Sequence, residues 1–167
     1  MPLTRLNPTD PTDALADKRQ SERAAEICRG VMRVLGLHGL TGLIEVTLPN
    51  GRRADVMALS ASGAIWIIEI KSSLIDFQVD RKWPEYRDYC DALFFAVATD
   101  FPQDILPVET GLIVADRFGG ELIRQAPEHR LAPARRKAVT LHYARVAAAR
   151  LAIAFDPQAR IEPSPRE

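Results

Sequence analysis

The first regular pattern in the chain is a helical one. Over residues 14–37, apolar side chains recur every three or four positions, and the arginines between them fall elsewhere on the helical wheel. Gly36 and Gly39 supply a stop signal. The pattern predicts an amphipathic helix that buries one stripe of side chains, namely Ala24, Ile27, Cys28, Val31, Val34 and Leu35.

Six short apolar segments follow, and turn signals separate them. Asn50-Gly51 and Gly119-Gly120 each lie between two such segments and predict hairpins. Pro84 and Pro133 suit the first turn of a helix, which predicts helices from Pro84 to about residue 91 and from Pro133 onward. The order α-β-β-β-α-β-β-β-α indicates a mixed β-sheet flanked by helices, an α/β or α+β domain. The predicted strands are residues 42–48, 53–59, 64–71, 92–98, 111–115 and 121–124.

The two ends of the chain differ from the middle. Residues 1–13 and 157–167 are polar and rich in proline, so we expect flexible tails around a single domain at 14–156. No signal peptide is visible, and the longest apolar run, residues 92–98, is far shorter than a membrane span. The two cysteines lack metal or redox spacing. We expect a soluble, cytoplasmic protein that does not contact a membrane.

Charge is balanced overall but distributed unevenly. The 167 residues include 22 basic and 22 acidic side chains, which excludes a globally basic nucleic-acid binder. Residues 40–121 carry thirteen acids and seven bases, whereas residues 124–150 carry seven bases and one acid. This asymmetry suits an acidic site beside a basic surface, as in a metal-dependent enzyme of an anionic polymer. A solvated basic helix explains the second half equally well.

The strongest candidate chemistry lies at the end of the third predicted strand. Side chains alternate across a strand, so Glu69 and Lys71 share one face. Asp55 lies in an apolar run of the preceding strand, where a charge is costly unless it is paired or binds a metal. If the two strands pair through the turn at residues 60–63, two carboxylates and one lysine converge. A salt bridge at the end of a sheet is the alternative interpretation.

Such a set suits a hard divalent cation. Mg²⁺ binds one or two carboxylates, keeps several waters and shares phosphate oxygens with a substrate. Asp55 and Glu69 are the expected ligands, with the backbone carbonyl of Ile70 as a further oxygen. Lys71 could orient or deprotonate the attacking water and offset charge in the transition state. Partial desolvation would lower the pKa of Lys71 and favour the base role.

The spacing of Asp55, Glu69 and Lys71, after a helix and across three strands, resembles the PD-(D/E)XK nuclease superfamily. The first six predicted elements match its α-β-β-β-α-β core. More narrowly, EIKSSLIDFQVDRKWPEYRDYCDALFFAV (69–97) and GLIVADRFGGELIR (111–124) are similar to MmcB-type DNA repair proteins of alphaproteobacteria. This resemblance runs from about residue 20 to 155. It implies a restriction-endonuclease-like fold, these three active-site positions, and Mg²⁺ or Mn²⁺. Ala54 stands where the superfamily often has proline.

Three glutamates are secondary candidates for the site. The superfamily often places a helix glutamate near the metal, which implies Glu26 or, one turn earlier, Glu22; an exposed helix charge is the alternative. Glu45 lies between apolar neighbours in the first strand. If Pro49 and Arg52 flank a two-residue turn, Val46 is opposite Asp55 and Glu45 points to the other face. A one-residue bulge reverses this.

Two segments are candidates for contacting DNA. Gln78 and Lys82 precede the second predicted helix, whose N-terminus favours anions. Arg135, Arg136 and Lys137 could follow a DNA backbone, or could simply make the surface soluble. Trp83 and Tyr86 could stack on unpaired bases, although packing in the core is the more common role of such residues.

Two functions remain open from the sequence. The first is a metal-dependent DNA nuclease of a repair pathway, which hydrolyses phosphodiester bonds with an Mg²⁺-activated water. The second is an inactive DNA-binding or adaptor module that retains the nuclease fold and contacts other repair proteins. A homodimer would help the nuclease to cut two strands. The three histidines show no metal spacing, so zinc is not expected.

Overall fold

Two long helices pack on opposite faces of a six-stranded sheet. The computed structural model describes residues 11–158, with side chains from residue 21 onward. The predicted tails lie mostly outside these residues, and the first helix begins at Pro11. The regular elements are α1 (Pro11–Leu37), β1 (Leu40–Thr47), β2 (Arg53–Ser60), β3 (Ile65–Lys71), α2 (Leu74–Val79), a 3-10 helix (Trp83–Tyr89), β4 (Ala92–Val97), a 3-10 turn (Gln103–Ile105), β5 (Gly111–Ala115), β6 (Gly120–Arg124) and α3 (Pro133–Phe155).

The sheet is mixed, and its strands lie in chain order from β1 to β6. β1, β2 and β3 are antiparallel neighbours, β3, β4 and β5 run parallel, and β6 returns antiparallel to β5. β4 is buried at every position, as expected for a strand covered on both faces. The predicted α+β fold with a mixed, helix-flanked sheet is confirmed.

Each face of the sheet has its own hydrophobic core. The predicted stripe of α1 packs through Ile27, Val31 and Leu35 on the face that carries Ile68 and Phe94. On the opposite face, α3 and the 3-10 helix Trp83–Tyr89 cover Met57, Ile65 and Ile67. The charged pair Glu69 and Lys71 has the same parity as Ile65 and Ile67, so it belongs to this second face.

The first hairpin has a longer turn than the sequence analysis assumed. The amide of Leu48 donates to the carbonyl of Arg52 and that of Gly51 to Leu48, which leaves three residues in the loop. Gly51 has φ +82°, which glycine adopts without strain.

Gly30 in α1 is a glycine for a different reason, namely close packing. A Cβ there would clash with the carbonyl oxygens of Asp116 and Gly119, so α1 lies close to the β5–β6 hairpin.

The segment between β3 and β4 differs from the prediction. The predicted helix from Pro84 is a 3-10 helix, Trp83–Tyr89. A separate short helix, α2, was not predicted, because its six residues are too few to show a helical period in the sequence. Its start does carry a sequence signal: the Ser73 hydroxyl caps the helix by accepting from the amide of Asp76. Two short helical segments, rather than one helix, therefore follow β3, the strand that carries Glu69 and Lys71.

The last helix is long and largely solvent-exposed. Val139 and Tyr143 are the buried residues of α3. Beyond them its apolar side chains point outward, and Leu151 and Phe155 are 72% and 90% exposed. By length and composition alone, α3 is long and apolar enough to cross a membrane, and little of it is buried. Residues 92–98 remain the longest unbroken apolar run, but α3 is a longer segment in which apolar residues predominate.

Candidate active site

The candidate site forms where β2 and β3 separate. Their ladder pairing ends at Val56 and Ile68. One residue further along each strand, side chains replace the backbone partners. The Ile70 amide donates to Asp55 Oδ2 at 2.8 Å, and the Asp55 amide donates to Glu69 Oε1 at 3.3 Å. These two hydrogen bonds tie Asp55 and Glu69 to each other's strands, so the predicted convergence of the two carboxylates is present.

The carboxylates open onto a cleft of about 740 Å³. Glu69 and Lys71 are buried, with 4% and 5% of their surface exposed, yet both line this cleft together with Asp55 and Ile70. Other lining residues are small side chains and Arg29 of α1, Asp76 of α2, and Tyr86. The groups are therefore reachable from solvent although they are largely desolvated.

Burial makes the two carboxylates reluctant to ionise. Burial raises the pKa of Glu69 to about 8, and the nearby charge of Asp55 adds to the shift, while Lys71 offsets only part of it. The pKa of Asp55 is raised by burial as well, against the opposing influence of the Ile70 amide and of Lys71. Nearby positive charge therefore offsets only part of the cost of ionising Asp55 and Glu69 in this buried position.

Lys71 is held by a partner that the sequence analysis did not identify. Its Nζ lies 2.6 Å from Asp80 Oδ2, and the two side chains are 6% and 18% exposed. Burial alone would lower the pKa of Lys71, but the hydrogen bond and charge of Asp80 and the charge of Glu69 outweigh burial and raise it. The expected lowered pKa of Lys71 is therefore wrong, because that expectation considered desolvation without Asp80. Lys71 is a cation in this cleft.

Asp80 is itself fixed by the backbone. It follows α2, and its Oδ1 accepts from the Lys82 amide at 2.9 Å. Burial would raise the pKa of Asp80, but the hydrogen bonds from Lys71 and Lys82 lower it. Asp80 lies nine residues after Lys71, outside any strand, so only the unpredicted turn through α2 brings it back to the site.

Glu45 reaches the cleft, but not by the predicted geometry. Pairing places Ile44 opposite Val56 and Val46 opposite Ala54, so Val46 is not opposite Asp55 as the two-residue turn required. Glu45 falls between these pairs with φ +50°, in the left-handed region that non-glycine residues rarely adopt. The guanidinium of Arg150 in α3 donates to the carbonyl oxygens on both sides of this kink. Glu45 lines the cleft and lies 3.7 Å from Arg53.

The structure does not bring Glu26 or Glu22 to the carboxylates. Both line a separate pocket with Asp100 and Asp116. Cys28 lines the cleft instead, and two positions along a helix correspond to a rotation of about 200°. The pKa of the Cys28 thiol is raised by burial and by the charges of Asp55 and Glu45. Glu26 is therefore not placed to be a ligand in the cleft of Asp55 and Glu69.

Most of the side chains predicted to contact DNA are exposed, and one of them is held in an ion pair within the protein. Gln78, Lys82 and Lys137 are exposed. Arg135 is exposed too, and its guanidinium lies 5.3 Å from the ring of Tyr89. Arg136 instead forms a two-pronged ion pair with the buried Asp91, at 2.5 and 2.7 Å. Arg136 thus has a structural role, which corrects its assignment as a DNA contact.

The aromatic residues of the 3-10 helix pack inward. Trp83 contacts Phe95 edge-on with ring centroids 5.7 Å apart. The Tyr86 hydroxyl donates to the carbonyl of Arg53 at 2.9 Å, and burial raises its pKa. Base stacking by Trp83 or Tyr86 therefore has no support in these contacts. Besides Lys71, the cationic side chains that line the cleft are Arg29 and Arg53, which were not predicted from the sequence.

The cleft suits a metal ion with few protein ligands. Among the described residues, no group of three or more His, Cys, Asp or Glu side chains is placed to hold one. Mg²⁺ does not need such a group, because one or two carboxylates, several waters and substrate phosphates satisfy it. The two under-compensated acids and the open cleft beside Ile70 meet that requirement.

Fold and site together define an α+β protein with an acidic cleft between two diverging strands. A family model described as "DNA repair protein MmcB-like" matches residues 11–158. The chain therefore belongs to the MmcB-like family of DNA repair proteins. It is also similar to the solved structure of SPO1766, a protein of unknown function from Silicibacter pomeroyi. The two are 45% identical with a TM-score of 0.80, over 83% of this chain and 95% of that one. A comparison with curated proteins finds no match.

Proposed function

We propose that the chain hydrolyses phosphodiester bonds of DNA during repair, with Mg²⁺ or Mn²⁺ held by Asp55 and Glu69, as in the PD-(D/E)XK nucleases. Membership in a DNA repair family supports the biological role. The observation that carries the chemistry is the pair of desolvated carboxylates beside a lysine in an open cleft. When bound, the ion would lower the pKa of a coordinated water and polarise a phosphate.

The chain's own residues divide the remaining work. Asp55 and Glu69, with the Ile70 carbonyl, hold the cation. Lys71 remains protonated beside Asp80, so it offsets charge that builds on the phosphate rather than acting as the base. Arg29 and Arg53 border the cleft and are suited to hold the phosphates on either side of the scissile one.

The second candidate is a DNA-binding or adaptor module without turnover. It is favoured by the small number of protein ligands, since among the described residues no third acid is placed to join Asp55 and Glu69 around one ion. Such a module would keep the cationic rim of the cleft and bind DNA without metal. The two candidates therefore differ in their dependence on the ion.

A cleavage assay separates these functions. Single-stranded, nicked, branched and flapped DNA would be incubated with the protein in Mg²⁺, in Mn²⁺ and in EDTA. We expect cleavage in both metals and none in EDTA. Binding without cleavage in any condition would favour the adaptor, and the absence of both binding and cleavage would contradict the proposal.

A further inference from the structure

α2 presents an apolar face to solvent at the border of the cleft. Ile75 and Val79 are one helical turn apart and 72% and 71% exposed, and Leu74 is 40% exposed. We call these three residues the α2 patch. Single exposed aliphatic residues are ordinary, but three of them in a six-residue helix form a contiguous apolar surface. A ligand with an apolar surface could therefore bury the α2 patch.

The inner side of α2 is fixed, so the patch has a defined position. Phe77 contacts the rings of Phe95 and Phe101, with centroids 5.5 and 6.4 Å away. Ser73 caps the start of the helix, and Asp80 after its end is paired with Lys71. The helix that carries the patch is therefore anchored directly to the candidate catalytic lysine.

Basic side chains near the α2 patch indicate which kind of ligand it would contact. Arg81 and Lys82 follow α2 and are exposed, and neither side chain has an ion pair with another described residue. Asp76, on the same short helix, lines the cleft whose rim carries Arg29 and Arg53. A ligand that spans these features must be flat or apolar in one part and anionic in the next. An unpaired nucleobase and its phosphate have this chemistry.

We propose that the α2 patch contacts an unpaired nucleobase of the DNA strand whose phosphate lies in the cleft. This inference rests on the proposed function and narrows its substrate class. Packing an aliphatic side chain against the face of an unstacked base removes apolar surface of both groups from water. Bases in an intact duplex are already stacked and paired, so the patch gains contacts only where a strand is single, flapped or branched. The preferred substrate therefore contains unpaired bases next to the cleavage position.

A double variant tests this contact. Ile75→Ser with Val79→Ser removes the exposed apolar surface, and Leu151→Ser with Phe155→Ser is the matched control on α3, where the exposures are similar. Binding would be measured with Ca²⁺ in place of Mg²⁺, on single-stranded DNA containing 2-aminopurine and on a duplex. We expect the patch variant to bind the single strand about tenfold more weakly, without the fluorescence rise of an unstacked base. Duplex binding and the control variant should match the wild type.

The possible outcomes distinguish failure of the proposed patch contact from failure of the proposed cleavage function. Equal binding of the single strand by wild type and patch variant, with the same fluorescence, overturns the contact while leaving cleavage untouched. Equal weakening on duplex and single strand also overturns it, since the patch would then not read unpaired bases. If the wild type binds neither DNA, the proposed function fails and the patch assignment fails with it.

Discussion

Replacing Asp91 by alanine is expected to lower the free energy of unfolding by about 3–5 kcal/mol, the range for breaking a buried ion pair. The Asp91 carboxylate accepts from the Ile65 amide at 2.8 Å and the Leu131 amide at 3.0 Å, in addition to the two bonds from Arg136. It thereby joins the start of β3, the segment before α3 and α3 itself. Removing it leaves the two amides without their acceptor and the Arg136 guanidinium without its carboxylate, although Arg136 still donates to the Gly63 carbonyl.

The measurement is chemical denaturation of Asp91→Ala beside Asp88→Ala. Asp88 lies three residues earlier and is exposed, so its replacement should change stability by no more than about 0.5 kcal/mol. Burial would raise the pKa of Asp91, but Arg136 and the two amides lower it. The carboxylate therefore stabilises the fold fully above its ordinary pKa, and this stabilisation is lost as pH falls through the lowered one. The difference between wild type and Asp91→Ala should shrink below about pH 4. Equal stability of the two aspartate variants would contradict this role.

Asp55→Asn, Glu69→Gln and Lys71→Met are each expected to reduce cleavage by at least about a hundredfold. In the proposed mechanism, the first two remove the charge that would hold the cation, and the third removes the ammonium that would offset charge on the phosphate. The asparagine and glutamine variants should fold at least as well as the wild type without metal, because burial raises the pKa of both acids and makes their charges unfavourable.

Cleavage rates and thermal unfolding would be measured on the same preparations. Glu121→Gln is the control, since this exposed residue of β6 loses the same charge away from the cleft. Retained cleavage in all three site variants would mean that the catalytic residues lie elsewhere. Loss of cleavage together with loss of folding in Lys71→Met would point to the Asp80 pair as a structural contact.

Local patterns in the sequence were sufficient to predict the strands and the convergence of the two acids. Glu69 lies in a β-branched run whose strand period fixes its face, and Asp55 is conspicuous as a charge in an apolar run. A short antiparallel connection joins their two strands and sets the register, so their proximity depends on few residues. Contacts set by local chain geometry are the ones that a sequence encodes most directly.

The rest of the site depends on tertiary arrangement. Asp80 reaches Lys71 only because Phe77 packs α2 against the sheet, and the six residues of α2 are too few to indicate a helix in the sequence. Which side of α1 faces the cleft is decided by how its buried stripe sits on the sheet, and this favours Cys28 over Glu26. The direction of Glu45 depends on one extra residue in a turn. Each of these was a choice between alternatives of similar local energy.

The central claim is that Asp55 and Glu69 share one divalent cation. It is tested most directly by anomalous scattering from crystals of the protein soaked in Mn²⁺. The account predicts a single strong peak in the cleft, about 2.1 Å from one carboxylate oxygen of each residue. A cleft without a peak at saturating Mn²⁺, with the two carboxylates still joined to the opposite strands, would contradict it.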